Sequence, residues 1–150
     1  MTQEERNLLV KDLCVRLPYD VIVKKEYTFV YTNGTISKSK EIEKINLEDI
    51  EYLISGDDCV DVLKPYLRPM SSMTEKEKDD LLRFFSFPLG AMYFNPNWGY
   101  VEVFKYIDEI KIYINDIVGL IDWLNKNMFD YRDLIPKGLA FEAKEGMYNH

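Results

Sequence analysis

The feature that most constrains the fold of this chain is the dipeptide Asn33-Gly34, which lies between two β-rich runs. Residues 26–32 (EYTFVYT) precede it and residues 35–37 (TIS) follow it, and both runs are rich in β-branched and aromatic residues. Asn-Gly in this setting is a strong hairpin signal, because both residues tolerate the positive φ that a tight turn needs. We therefore expect an antiparallel hairpin with both turn residues at positive φ.

An aromatic row runs along the first strand of this hairpin. Tyr27, Phe29 and Tyr31 share one face of the strand, because successive side chains of a strand alternate between its two faces. Large aromatic side chains dominate the cores of small domains. We expect the row to face the core rather than a ligand.

Helical patterns flank the hairpin. Thr2 and Glu5 have the spacing of a capping box and predict an amphipathic helix over about residues 3–17, which stops before Pro18. The two prolines within residues 64–69 predict an irregular segment. Thr74 and Glu77 form a second capping box and predict a helix over residues 75–86. Further helices are expected over residues 46–54 and 115–128, and further strands over residues 57–63, 91–94, 100–107, 110–114 and 139–143.

The chain has the size and composition of one packed domain. It has 150 residues, of which 47% are apolar and 14% aromatic, enough to bury a core. No repeat or linker divides residues 1–150. We predict a single α+β domain in which antiparallel β hairpins form a small sheet or partial barrel, with N-terminal, central and C-terminal helices.

The sequence predicts a cytoplasmic protein without membrane contact. Its first residues lack the basic region and apolar stretch of a secretory signal, and no run of about eighteen apolar residues follows. Cys14 and Cys59 lie far apart and do not form a C-x-x-C pair, which fits a reducing compartment.

Several kinds of catalytic chemistry lack their residues. His150 is the only histidine and the last residue, so neither an imidazole-activated nucleophile nor a histidine metal cluster is expected. No Walker phosphate loop and no G-x-G-x-x-G motif is present. We expect no cofactor and no metal site, and these observations favour a protein that is not an enzyme.

One enzymatic alternative remains open. Glu109-Ile110-Lys111 matches the E-x-K element of restriction-type nucleases, in which carboxylates hold Mg²⁺ and the lysine positions water. The upstream carboxylate would have to be Asp79 or Asp80, on a predicted helix. A metal-dependent nuclease or hydrolase that uses Glu109 and Lys111 is therefore the alternative function.

The net charge of −7 comes from a single tract. Residues 41–62 contain eight acids and one base, whereas the remaining 128 residues contain 18 of each. Nucleic acid requires a basic face, and no comparable concentration of Lys and Arg occurs, so we expect no direct nucleic-acid binding.

The acidic tract predicts a surface for a basic protein partner. On the helix over residues 46–54 we expect Ile50, Leu53 and Ile54 to point inward and the acids outward. The partner-binding candidates are Glu48, Asp49, Glu51, Asp57 and Asp58. The leading interpretation is a non-enzymatic binding or accessory protein; the tract could instead mimic nucleic-acid phosphate and inhibit a host DNA-binding protein.

Four segments carry a resemblance to a known group of proteins. They are LVKDLCVRLPY (9–19), KPYLRPMSSMT (64–74), WLNKNMFDYRDLI (123–135, continued by GLA at 138–140) and EGMY (145–148). Together they resemble small proteins of gut Bacteroides-type bacteria and their phages or prophages. The resemblance implies a cytoplasmic setting and a mobile-element origin but no activity. Within these segments Tyr131 and Arg132 are candidates for a recognition patch, with packing as the alternative.

Overall fold

A computed structural model describes residues 1–55, 61–85 and 117–148 of the chain. The described part contains four α-helices and a four-stranded mixed sheet, which confirms the α+β class. Its elements are α1 (Gln3–Arg16), β1 (Ile22–Val30), β2 (Ile36–Lys44), α2 (Leu47–Ser55), β3 (Val62–Leu67), α3 (Glu75–Phe85), α4 (Ile117–Lys126) and β4 (Phe141–Glu142). The predicted strands at 91–94, 100–107 and 110–114 lie outside the described residues.

Both capping boxes form as predicted. The Thr2 hydroxyl accepts a hydrogen bond from the Glu5 backbone N–H, and the Glu5 carboxylate accepts one from the Thr2 N–H. Thr74 and Glu77 form the same reciprocal pair at the start of α3. Each box satisfies backbone donors that the first turn of a helix cannot pair internally, so it fixes where the helix begins.

Within the described residues the strands are ordered β2-β1-β3-β4, so β2 and β4 are the outer strands of this part of the sheet. β1 pairs antiparallel with both β2 and β3, whereas β4 runs parallel to β3. The parallel pair was not predicted from the hairpin signals. It forms because the chain returns to the sheet after α4 rather than through a tight turn.

The hairpin is confirmed, but its turn differs from the prediction. Gly34 has a φ of 81°, whereas Asn33 does not have a positive φ. The Gly34 N–H donates to the Tyr31 carbonyl (2.9 Å), and the Tyr31 N–H donates to the Thr35 carbonyl (2.9 Å). This is the three-residue loop with one left-handed glycine, in which the asparagine side chain instead accepts a hydrogen bond from the Thr35 N–H (2.9 Å).

The segment after the acidic tract is more regular than predicted. Residues 64–67 were expected to be irregular, yet they belong to β3. Pro65 lies opposite Val23 of β1, and β4 pairs only with Tyr66 and Leu67. The proline therefore lies outside the short β3–β4 ladder, where its missing N–H would have cost a hydrogen bond.

The core lies on the side of the sheet that α1 and α2 cover. A second apolar cluster joins α3, α4 and the segments beside them. The first cluster contains Leu9, Leu13, Val21, Val23, Ile45, Ile50, Leu53, Leu63, Leu67, Met128, Leu134, Leu139 and Ala140. The second contains Met70, Met73, Leu81, Leu120, Leu124 and Phe129.

The aromatic row of β1 does not enter this core as expected. Phe29 is 49% exposed and Tyr31 is 54% exposed, while Tyr27 is half-buried. The described β3 pairs only with Val23–Glu26, so the rest of the hairpin extends past it. Alternation along the strand was predicted correctly, but the length of its neighbour decides which of its residues are covered.

Candidate functional site

Helix α2 begins with a reciprocal cap. The Asn46 side chain accepts from the Asp49 N–H (3.0 Å), and the Asp49 carboxylate accepts from the Asn46 N–H (2.9 Å). Ile50 and Leu53 then face the core, as predicted, and are 6% and 7% exposed. These contacts fix which side of the short helix faces solvent.

The outward side of α2 combines carboxylates with large apolar side chains. Glu48 and Glu51 are exposed, as predicted. Leu47 is 67% exposed, Ile54 is 65% exposed and Tyr52 is 37% exposed. The prediction that Ile54 points inward is wrong; Leu47, Glu51 and Ile54 follow at helical spacing and form an outer stripe. We call Leu47, Glu48, Glu51, Tyr52 and Ile54 together the α2 surface.

The predicted orientation of Asp49 is also wrong. Asp49 is 2% exposed, and its carboxylate lies 2.6 Å from Lys25 Nζ, which also lies 2.5 Å from the Glu43 carboxylate. Burial disfavours the charged lysine, but the hydrogen bonds that Lys25 donates to the carboxylates of Asp49 and Glu43 outweigh this effect and raise the pKa of Lys25. Asp49 therefore holds α2 on the sheet and is not available to a partner.

Four further candidates lie outside the described residues. They are Asp57 and Asp58 of the acidic tract, and Glu109 and Lys111 of the E-x-K element. Asp79 and Asp80, the upstream carboxylates of that hypothesis, lie on α3 and therefore not on a strand.

A second polar region lies between α1 and α4. Arg16 and Asp12 are both 0% exposed, and Arg16 Nε donates to the Asp12 carboxylate at 2.8 Å. Arg16 also donates to the carbonyl of Phe129 (2.8 Å) and, more weakly, to that of Asn125 (3.5 Å). We call this set of Asp12, Arg16 and the carbonyl groups of Asn125 and Phe129 the junction, because it connects α1 to the C-terminal end of α4.

Tyr131 and Arg132 belong to the junction rather than to the α2 surface. The Tyr131 hydroxyl donates to the Asn125 side chain (3.0 Å), and the Arg16 guanidinium lies 5.5 Å from the centre of the tyrosine ring. Arg132 Nε lies 3.6 Å from the Asp12 carboxylate. Both side chains are half-buried and contribute to packing.

The segments that carry the family resemblance meet at this junction. The Arg68 N–H donates to the Met128 carbonyl, and the Asp130 N–H donates to the Arg68 carbonyl, each at 2.8 Å. Burial raises the pKa of Asp130, although its carboxylate accepts from the N–H groups of Leu134 and Ile135. Residues far apart in sequence thus serve one packed structure here.

The last of these segments is anchored by Tyr148. Its hydroxyl donates to the Tyr66 carbonyl (2.8 Å) and accepts from the Ile22 N–H (3.0 Å). Burial raises the pKa of Tyr148 to about 12, so the phenol stays protonated and keeps both hydrogen bonds.

Within residues 1–55, 61–85 and 117–148, no group of three or more His, Cys, Asp or Glu side chains is placed to hold a metal ion. None of the helices described there is long and apolar enough to cross a membrane. Comparison with models of protein families, with curated proteins and with solved structures found no significant match to this chain. The resemblance to proteins of gut Bacteroides-type bacteria and their phages stays a prediction.

Proposed function

We propose that this chain is a non-enzymatic binding protein that docks a basic protein partner through the α2 surface. The observation that carries the proposal is the exposure of Leu47 and Ile54, at 67% and 65%, beside Glu48 and Glu51. Large apolar side chains next to uncompensated charge are typical of a binding surface rather than a solvated face.

The stability of α2 does not require this outer stripe. Ile50 and Leu53 hold the helix against the core, and the Asn46–Asp49 cap fixes its first turn. Leu47 and Ile54 lie seven residues apart on the opposite side, where solvent exposure of apolar area is unfavourable. A partner that covers them would remove that unfavourable exposure.

The chemistry of the partner follows from the two components of the surface. Glu48 and Glu51 favour lysine or arginine on the partner and would accelerate its approach at low ionic strength. Leu47 and Ile54 favour apolar side chains between those bases. We therefore expect a segment that combines apolar anchors with flanking positive charge, such as a basic amphipathic helix.

The two other functions have less support from the described residues. For the nuclease or hydrolase, Glu109 and Lys111 lie outside them, and Asp79 and Asp80 lie on a helix. For the nucleic-acid mimic, β2 bears lysines on the face of the sheet opposite the core, and these lysines interrupt a continuous negative surface. No observation on the described residues specifically favours either of these alternatives.

The test uses two variants of the whole chain. In the first, Leu47→Ser, Glu48→Gln, Glu51→Gln and Ile54→Ser replace four of the five residues of the α2 surface and leave Tyr52 in place. In the matched control, Glu4→Gln and Glu142→Gln remove the same amount of charge at exposed positions elsewhere. Proteins recovered from a host lysate by chemical cross-linking are compared between wild type and both variants.

The proposal predicts that at least one protein is recovered by wild type and by the control but not by the α2 variant. Its recovery should also fall as salt rises, because exposed charge pairs are screened. Identical recovery by all three proteins, with both variants folded by circular dichroism, would overturn the proposal.

A further inference from the structure

The sheet gathers lysines that are scattered in the sequence. Side chains two residues apart along a strand share a face, and residues directly opposite each other in an antiparallel pair share it too. Lys24 lies opposite Ile42 of β2 and opposite Lys64 of β3. On this pattern one face carries five lysines, here called the lysine face: Lys24, Lys38, Lys40, Lys44 and Lys64.

The lysine face is positive although the chain is acidic overall. Lys40 and Lys44 are 67% and 66% exposed. Glu26 pairs with Lys24 (2.6 Å) and Lys40 (3.2 Å), and Asp20 pairs with Lys44 (2.6 Å). Among the described residues, two carboxylates form ion pairs with lysines of this face, and Glu5 also interacts electrostatically with Lys64. Glu41 and Glu43 of the acidic tract point to the opposite side of β2, so the lysines outnumber the carboxylates.

An aromatic ring lies among these charges. Lys24 Nζ lies 4.9 Å and Lys64 Nζ lies 5.7 Å from the centre of the Phe141 ring. The same face continues into exposed apolar side chains, with Val30 at 72%, Ile36 at 63% and Ile42 at 59% exposure. Positive charge and apolar surface therefore alternate across the face.

Protection of the sheet edge explains only part of this pattern. Lysines on an edge strand discourage pairing with another chain, which would account for Lys38, Lys40 and Lys44 on β2. Lys24 lies on β1, which pairs with β2 on one side and with β3 on the other, so edge protection does not account for it. Lys64 lies outside the short β3–β4 ladder, which includes only Tyr66 and Leu67 of β3. The presence of Lys24 on the same face requires another reason.

We infer that the lysine face binds single-stranded nucleic acid, contrary to the expectation from the linear distribution of charge. The lysines neutralise phosphates, and Phe141 with the apolar side chains contacts the bases. A single strand suits this face better than a duplex does, because its unstacked bases can lie on an aromatic ring. A single strand also suits the face better than an acidic peptide does. Its charged phosphates and its apolar bases occur side by side, as the lysines and the apolar side chains do on this face.

The test measures fluorescence anisotropy of labelled oligothymidylate and oligouridylate with the whole chain at low salt. The face variant carries Lys38→Gln, Lys40→Gln and Lys44→Gln. The matched control carries Lys11→Gln, Lys76→Gln and Lys126→Gln, which remove three exposed lysines from the helices. The face variant should lose about tenfold or more in affinity, and its slope of log affinity against log salt should fall by about 2.

Three results would overturn the inference. They are no binding by wild type at low salt, equal losses in the face variant and the control, and displacement of the oligonucleotide by oligoglutamate as readily as by unlabelled oligothymidylate. The last result would assign the face to acidic proteins. Tight binding of either oligonucleotide by wild type and by the control, but not by the face variant, would support the inference.

A further variant tests the role of the aromatic ring. Phe141→Leu keeps an apolar side chain but removes the stacking surface, so oligonucleotide affinity should fall about fivefold or more. Oligonucleotide affinity equal to that of wild type would overturn the base contact. Loss of the α2 surface should leave oligonucleotide binding intact, so the two proposals fail separately.

Discussion

The junction and the α2 surface use similar residues in opposite ways. In the junction Asp12 and Arg16 are fully buried, and the guanidinium donates to a carboxylate and to backbone carbonyls. On α2 two glutamates and two large apolar side chains face solvent. Buried charge that is fully paired specifies how elements dock, whereas exposed charge beside apolar area is available to a partner.

Asp49 shows that a single helix contains both buried, paired charge and exposed charge. It is the neighbour of the exposed Glu48, yet it is buried against Lys25 and forms part of the helix cap. Substitutions at adjacent positions should therefore affect different properties. The junction and Asp49 should govern the free energy of unfolding, and the α2 surface should govern binding.

The largest effect is expected in the junction. Asp12→Ala leaves Arg16 buried without its carboxylate, which should lower the free energy of unfolding by about 3–5 kcal/mol. Lys11→Ala, at the exposed neighbouring position of α1, should change it by less than about 0.5 kcal/mol. Urea denaturation of both variants measures the difference. Equal stability of the two would show that the junction does not tie α1 to α4.

A smaller difference is expected across α2. Asp49→Ala removes the partner of Lys25 and one half of the cap, which should cost about 2–4 kcal/mol. Glu48→Ala should change the free energy of unfolding by less than about 0.5 kcal/mol. Comparable losses in the two variants would mean that Glu48 also stabilises the fold.

The same pair predicts a pH dependence at the alkaline end. The pKa of Lys25 is raised from its usual 10.5, so its contribution is fully present below pH 10.5 and is lost as the pH rises through the folded-state pKa. Wild type should lose this stability on alkaline titration, and Asp49→Ala should lose less. Parallel stability curves for the two proteins would contradict the assignment.

The sequence predicts best what is local. Thr2 with Glu5, and Thr74 with Glu77, form their caps between residues three apart, so the starts of α1 and α3 follow from spacing alone. Asn33-Gly34 likewise predicts the hairpin. Even there the turn type depends on how the flanking strands register, and only the glycine takes a positive φ.

What the sequence could not predict depends on contacts between elements. Asp49 follows the outward pattern of its helix, but its burial requires Lys25 of a neighbouring strand. Lys24 and Lys64 lie forty residues apart and share a face only because β1 and β3 pair in one register. A linear count of charge therefore found the acidic tract and missed the lysine face.

The smallest of the expected stability effects concerns the ion pair of Arg68 and Glu77, which is neither fully buried nor fully exposed. Arg68 donates to both oxygens of Glu77 (2.7 and 2.9 Å), and its guanidinium lies 4.3 Å from the centre of the Phe129 ring. Both side chains of the pair are 19% exposed. Glu77→Gln should therefore cost about 1–2 kcal/mol at neutral pH, less than the loss of a fully buried partner.

The pH dependence distinguishes this ion pair from simple packing. Burial disfavours the Glu77 carboxylate, but hydrogen bonds from Arg68 and Thr74 outweigh it and lower its pKa from 4.5 to about 2. The stabilisation is present above pH 4.5 and is lost as the pH falls towards about 2. The stability gap between wild type and Glu77→Gln should narrow over that range.

Glu75→Gln, at an 87% exposed position of the same helix turn, is the control and should show almost no stability gap from wild type at any pH. A gap for Glu77→Gln that stays constant with pH would show that the side chain acts through packing and not through its charge.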